Sequence, residues 1–472
     1  MNNQTYEAVV IGFGKGGKTL ASYLGNKEID VAVIEQSKAM YGGTCINIAC
    51  IPSKALALAA KDAYKSKFNT FEEKRAYYQK SLTQKDELVS FLRQRNYDNL
   101  NNNPHVTVLD GKASFIGPRE LEVTNSDGEG TPVRVHAEKI FINTGSLPFI
   151  PVIEGLQESQ RVFTSTSLME LQTLPRRLVI IGGGYIGLEF ASIYAAFGSL
   201  VTLVERNETL LPSQDRDIAE AVKTALEKRG VQFLIGASAR RIYDREDLAI
   251  VEIVDTENDQ KQLMADAILV AVGRVPNTLG LDLGNAGIEV DERGFIVVDE
   301  FLRTSVLDIW ALGDVNGGPQ FTYISLDDYR IIRDQLEGNI TKPHSTTDRL
   351  NVPYSIFIHP TLSRIGLSEE DALRAGYEIQ VVKMPAAAVP RAQQLQETEG
   401  LLKAIVDRKT GSILGCSLFC ADSSEVINVV QMAMQTGASY ETLRDSIYTH
   451  PSMTESLNDL LSQVPLGTVL PA

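Results

Sequence analysis

Short continuous apolar runs, several of them closed by glycine clusters, recur along this chain, and such runs predict strands buried on both faces. The first, Glu7 to Ile11, enters Gly12-Phe13-Gly14-Lys15-Gly16-Gly17, then a helix-compatible stretch and a second apolar run ending at Glu35. From Ala55 to about Asn102 strong helix formers and charges of alternating sign predict helical scaffold with solvated faces. Strand-like pieces follow at 106–117, 121–125 and 133–145, with a turn expected at Ser126-Asp127-Gly128. After Pro175 the opening pattern returns. An apolar run, Gly182, Gly184 and Gly187 in the same spacing, a helix and a strand end at Glu205, as far past its third glycine as Glu35 is past Gly17. A repeat of this length predicts two copies of one supersecondary unit. An amphipathic helix at 217–230, strands through Val254 and a strand at 265–277 lead to residues 295–318, where Asp314 follows a strand beside Gly317-Gly318. From about Asn351 the strands and helices are interrupted and no glycine fingerprint recurs, which marks a further domain.

Length agrees with several domains, since 472 residues exceed what one core can organise. Charge narrows the class of partner. Sixty acidic against 45 basic residues give a net charge of −15 with no basic block, so nucleic acid would be repelled. No apolar run reaches the roughly 18 residues that cross a bilayer, and the first residues read as a strand rather than a leader. The expectation is a soluble cytoplasmic protein with no membrane partner. Four cysteines are too few for a disulfide scaffold, and a reducing compartment keeps ordinary thiols reduced.

Each glycine fingerprint sits in the context its chemistry needs. Glycines let a turn pass close to a pyrophosphate at a helix N-terminus, and the acid ending the second strand accepts hydrogen bonds from a ribose. Two such units imply two dinucleotides. Glu205 favours the free ribose hydroxyls of NADH, while Arg206 beside it could serve a 2′-phosphate; NADH with NADPH tolerated is the expectation. Cys45 and Cys50, in Gly42 to Lys54, follow a Gly42-Gly43-Thr44 loop that feeds a helix, where backbone N–H groups favour a thiolate. They are the candidate working centre. A thiolate needs a proton manager, and among five histidines His450 alone has an acid placed by motif, Glu455, to hold its tautomer. His105, His136, His344 and His359 read as structural. Cys416 and Cys420 fall in a strand-like run, where their α-carbons would be ~13 Å apart, beyond disulfide range. They read as packing residues, and no metal site is expected.

Taken together, these motifs resemble the flavoprotein disulfide reductases, the group of lipoamide dehydrogenase, glutathione reductase and mercuric reductase. Cys45 to Lys54, both fingerprints, Thr144-Gly145, Gly273 to Asn277, Gly313-Asp314 and His450 to Glu455 stand in that family's order. Residues 10–21, 38–48 and 317–330 look most like its reactive-chlorine-resistance branch, to which hypothiocyanous acid reductase and cupric reductase activities belong. The resemblance implies an α/β fold with two Rossmann-like dinucleotide-binding domains and a C-terminal α+β dimerisation domain. Residues 1–150 and 272–345 would bind FAD, 151–271 NAD(P), and 346–472 would form the interface of a homodimer. Gly12, Gly14, Gly17, Glu35, Gly43, Thr44, Thr144, Gly145 and Asp314 would line the FAD site. Gly182, Gly184, Gly187 and Glu205, with Arg206 beside it, would serve the nicotinamide nucleotide, and Gly273 is counted as cofactor-binding. Cys50 would face the flavin and Cys45 the substrate; Lys54, also counted as cofactor-binding, would pair with Glu189 near the flavin. His450 of a second copy, oriented by Glu455, would be the acid/base for Cys45. The implied activity is reduction of a small oxidant by NAD(P)H, hypothiocyanous acid first. Reduction of Cu(II) on the same thiols, or a redox sensor with incidental NADH oxidase activity, are the alternatives. Mercuric ion is disfavoured, because the tail at 461–472 has no cysteine pair.

Overall fold

A computed structural model describes residues 2–66, 68–125, 131–338 and 344–465, so the turn expected at Ser126-Asp127-Gly128 lies outside the described residues. The chain forms two compact units. One comprises the chain up to Leu56, Lys80–Phe149 and Gly273–Arg349; the other Ala57–Gln79, Ile150–Val272 and the chain from Leu350 on.

In the first unit the apolar runs become a sheet as their pattern requires. Strand β1 (Asn2–Ile11) pairs in parallel with β2 (Val31–Glu35) on one side and Val133–Ile142 on the other, and β2 pairs with Val106–Asp110. All five residues of β2 are buried, the mark of a strand covered on both faces. Val133–Ile142 divides its outer edge, pairing antiparallel with Glu120–Thr124 near its start and parallel with Ile309–Ala311 at its end. Helix α1 (Lys15–Gly25) follows the fingerprint directly. Its Gly16 packs on the Thr322–Glu337 helix, where a Cβ would lie 2.4 Å from the Ser325 carbonyl oxygen.

The helical scaffold begins earlier than its pattern predicts. A single turn, α2 (Thr44–Asn47), precedes α3 (Cys50–Lys65), and α4 (Phe71–Asn101) follows. Helix α3 therefore starts at Cys50 rather than near Ala55. Pro52 does not delay it, because in a first turn its missing N–H has no intrahelical acceptor to lose.

In the second unit the repeat forms an all-parallel sheet in the order Val231–Ile235, Leu200–Glu205, Arg177–Ile181, Ala267–Val270, Val162–Phe163. The Tyr185–Phe197 helix follows its fingerprint. An antiparallel meander of Ala237–Arg245, Leu248–Asp255 and Gln260–Ala265 stands beside it. Residues beyond 350 form an antiparallel five-stranded sheet, Tyr354–Ile356, Leu362–Gly366, Ile413–Phe419, Leu401–Asp407 and Ile379–Pro385 in spatial order, with helices Ser423–Gln435 and Ser456–Leu461. The fold is thus mixed α/β, with two parallel fingerprint sheets and a C-terminal α+β layer. No described helix is long and apolar enough to cross a membrane.

Candidate functional site

The cysteine loop lies directly on the first glycine turn. Gly43 has φ +80°, and a Cβ there would stand 2.6 Å from the Gly14 α-carbon, so only glycine lets the two backbones meet. Thr44 reaches the other motif of this unit: a Cβ on Gly145 would find its Oγ1 at 3.8 Å. Asn47 fixes the loop internally, donating to Tyr41 O at 3.0 Å and Gly43 O at 2.9 Å, while Arg93 of α4 donates to its Oδ1 at 2.8 Å.

Both cysteines are free thiols at intermediate burial. Helix placement separates them. Cys50 is the first residue of a 16-residue helix, whose N-terminal N–H groups favour negative charge, while Cys45 sits in a four-residue turn. The Thr322 hydroxyl, at the start of the Thr322–Glu337 helix, lies 3.4 Å from Cys50 Sγ. The Cys50 thiol is lowered to about 6, chiefly because Cys45 hydrogen-bonds to it. Thr322, Lys54 and a backbone N–H add to this against the opposing pull of burial. Cys45 is pushed far up, first by that same bond and then by burial. The pair therefore holds one readily lost proton, and the charge left behind rests on Cys50.

Around this loop the first unit gathers most of the expected cofactor residues, and they fit a dinucleotide. Glu35 is buried, its two oxygens accepting from Phe13 N and Ser37 N at 3.1 Å each. Burial raises its carboxyl to about 7, although those N–H groups oppose the shift. Thr144 Oγ1 is buried with no hydrogen-bond partner among the described residues, an acceptor and donor left for a bound group. Asp314 accepts from Ser146 Oγ at 2.6 Å, and Ser146 Oγ in turn accepts from Arg274 Nε at 2.8 Å. Arg274, next to Gly273, also feels the Cys50 charge.

Asn143 is the residue that sequence reasoning missed here. Its Oδ1 accepts from Gly17 N at 2.9 Å and its Nδ2 donates to Leu312 O at 2.6 Å, tying the fingerprint to the strand before Asp314. Its place in Ile142-Asn143-Thr144-Gly145, just ahead of a named motif, was the available signal. Thr322 was missed likewise, although its segment was singled out.

The second fingerprint repeats the carboxylate geometry. Glu205 is buried and accepts from Gly183 N at 2.6 Å and Asn207 N at 2.8 Å, and Arg206 beside it is exposed. Its surroundings are more open. A Cβ on Gly14 would stand 2.4 Å from Asn143 Oδ1, whereas one on Gly184, the equivalent position, would meet nothing within 4 Å among the described residues. Gly187 packs tightly, with Gly182 O at 2.0 Å from its would-be Cβ.

His450 and Glu455 meet as expected: Nδ1 lies 2.7 Å from Oε2, the imidazole is exposed, and its proximity holds the Glu455 carboxyl below the ordinary range. Ser452 N donates to the other oxygen at 3.2 Å. Lys54 Nζ is 3.3 Å from Ser53 Oγ, and Glu189 Oε1 accepts from Phe357 N at 2.8 Å. These two belong to different units. Two histidines read as lacking an acid have one. His105 lies 3.0 Å from Asp30 because Val31 pairs with Val106, which sets the preceding residues side by side; His344 lies 3.0 Å from Asp334.

Cys416 and Cys420 are buried in the apolar core of the C-terminal layer, on and just past the Ile413–Phe419 strand. Burial raises Cys416 to about 12 and Cys420 further. Among the described residues one acidic group of metal-ligand dimensions, Asp215, Asp217 and Glu369, encloses Lys403 Nζ, which is 2.8 Å from Asp215 and 2.9 Å from Asp217 and also contacts Glu369.

Comparison with known proteins agrees with this geometry. Residues 6–328 match the family described as pyridine nucleotide-disulphide oxidoreductase, and residues 352–461 match its dimerisation domain. The probable pyridine nucleotide-disulfide oxidoreductase RclA of Escherichia coli (strain K12) is 50% identical over 459 residues, 97% of this chain and 99% of that one. A mercuric reductase of Lysinibacillus sphaericus is 34% identical, over 97% of this chain and 82% of its own. Among solved structures, the Cu(II) complex of HOCl-induced flavoprotein disulfide reductase RclA from Escherichia coli superimposes with a TM-score of 0.92 at 49% identity, covering 98% of this chain and 100% of that one.

Proposed function

This chain belongs to the pyridine nucleotide-disulphide oxidoreductase family, and we propose that it uses NAD(P)H, FAD and the Cys45–Cys50 pair to reduce hypothiocyanous acid. The observation that carries this reading is the polarised dithiol: two free thiols on the glycine turn, with one sulfur charged near neutral pH. A relative described as HOCl-induced supports an oxidant as substrate. When bound, flavin and nicotinamide supply the electron pair that returns the disulfide to the dithiol.

The chain's own residues do the rest. Loss of one proton leaves Cys50 as thiolate and Cys45 as thiol; transfer of the remaining proton to Cys50 frees Cys45 to attack the electrophilic sulfur. Hydroxide leaves and takes a proton from His450 of a second copy, forming water. Cys50 returns its proton to that imidazole, attacks Cys45 and expels thiocyanate, closing the disulfide. Two electrons pass from the dithiol to the oxidant. Thr322 and Lys54 hold the Cys50 charge, and Glu455 holds the imidazole in one tautomer. The supply of His450 by a homodimer, the Lys54–Glu189 pair and the three-domain division at 1–150 with 272–345, 151–271 and 346–472 are part of this reading. Buried Glu205 supports NADH, and exposed Arg206 supports tolerance of NADPH. A cytoplasmic setting follows from thiols that must stay reducible.

Cys45→Ser decides the matter. Hypothiocyanite turnover with NADH should fall to background, and full turnover in that variant would end the proposal. A second reading, reduction of Cu(II) on the same thiols, draws on the Cu(II) complex of the relative. Specificity constants for copper and for hypothiocyanite, the latter with metal chelated, separate the two. A redox sensor with incidental NADH oxidase activity would show no thiol-dependent turnover with either.

A further inference from the structure

In the reduced pair the charge rests on Cys50, yet Cys45 has to attack, so the site needs something that draws the charge across. Lys54 acts on Cys50; the cation that acts on Cys45 is Lys18. Its ammonium group reaches from α1 to Gly42 O at 3.1 Å and Asn96 Oδ1 at 2.5 Å, and Gly42 opens the loop that carries Cys45. Both acceptors are neutral oxygens. Among the described residues no carboxylate pairs with it, and a part-buried ammonium without a counterion is costly. Burial, and then repulsion from Lys15 on the same helix, bring Lys18 down to about 8, while Cys45 opposes both. The loop it holds at Gly42 carries Cys45 three residues further on, and a negative charge on that sulfur acts on the ammonium.

We propose that Lys18 is a positioning residue for Cys45, favouring the form of the dithiol in which the proton is on Cys50 and the charge on Cys45. The step breaks one S–H bond and makes another along the existing hydrogen bond, with no change of oxidation state. It rests on Cys45 being the attacking sulfur of the function proposed above. Asn96 holds the ammonium from α4, the helix whose Arg93 also braces Asn47.

The test labels NADH-reduced, flavin-saturated enzyme with iodoacetamide between about pH 6 and 9, with the modified cysteine read by peptide mass spectrometry. In Lys18→Met, Cys45 labelling should fall about tenfold and its midpoint rise by about one pH unit, with Lys18→Arg restoring most of the rate. Asn96→Asp keeps the lysine but gives it a permanent counterion, and should also slow labelling. Wild-type rates and midpoints in both Lys18→Met and Asn96→Asp overturn the inference. So does a Lys18→Met variant that binds flavin weakly yet labels normally once saturated, since the lysine would then serve the cofactor's pyrophosphate. Both results leave the proposed function standing. Labelling of Cys50 alone in the wild type would overturn the attack by Cys45 and this inference with it.

Discussion

Two pairs of cysteines with nearly the same spacing meet opposite fates in this molecule. Cys45 and Cys50 straddle the start of a helix on a glycine turn, with a hydroxyl and two ammonium groups acting on them. Cys416 and Cys420 lie on and just past a strand in an apolar core, where burial is the main cause that raises both thiols. The lesson is that spacing nominates a thiol pair, while reactivity comes from the charge and donors that the fold delivers to it.

The largest way to break this contrast is a swap of losses. Cys50→Ser should drop NADH-dependent reduction of hypothiocyanite to background, while Cys416→Ala and Cys420→Ala should keep wild-type kcat per flavin in the same steady-state assay. Equal losses in the two pairs would erase the distinction.

Alkylation of the native, reduced protein near pH 7 should next favour the first pair by on the order of 10,000-fold or more, because Cys50 is lowered to about 6 and Cys416 raised to about 12. Thiolate exists above the pKa, so labelling of the first pair should fall as pH drops through about 6 and level off above it. The buried pair should label only after unfolding. Mass spectrometry across pH reads both.

Thr322→Val sharpens the comparison, since it removes a donor and keeps the shape. The Cys50 midpoint, followed by thiolate ultraviolet absorbance, should rise by about one pH unit, and Thr322→Ser should restore it. A wild-type midpoint in Thr322→Val would deny that hydroxyl its part.

Smallest of all, Cys416→Ala should cost about 1 kcal/mol of stability in urea unfolding, the loss of one buried sulfur. A larger loss, or one accompanied by lost turnover, would give the buried pair a role beyond packing.

Much of this was legible in advance where the pattern is local. The two strand-turn-helix-strand units, the acids Glu35 and Glu205, and the His450–Glu455 contact are each built within a few turns of chain, and each formed as the spacing predicts. The start of α3 was misplaced because helix-former counts weigh the run after Ala55 and overlook that Pro52 is tolerated in a first turn. His105 and His344 gain acids that no motif announces: strand register brings Asp30 to the first, and Asp334 pairs with the second.

By itself the sequence determined the two strand-turn-helix-strand units and the glycine loop that carries Cys45 and Cys50, the thiols proposed to work, since glycines, apolar runs and helix starts act over neighbouring residues. Only the tertiary structure decided which sulfur carries the charge, which asparagine ties the first cradle together and which lysine stands by Cys45. Those outcomes depend on partners far apart in sequence, Thr322 for Cys50 and Leu312 for Asn143, and no local pattern encodes a contact made when distant segments close on each other.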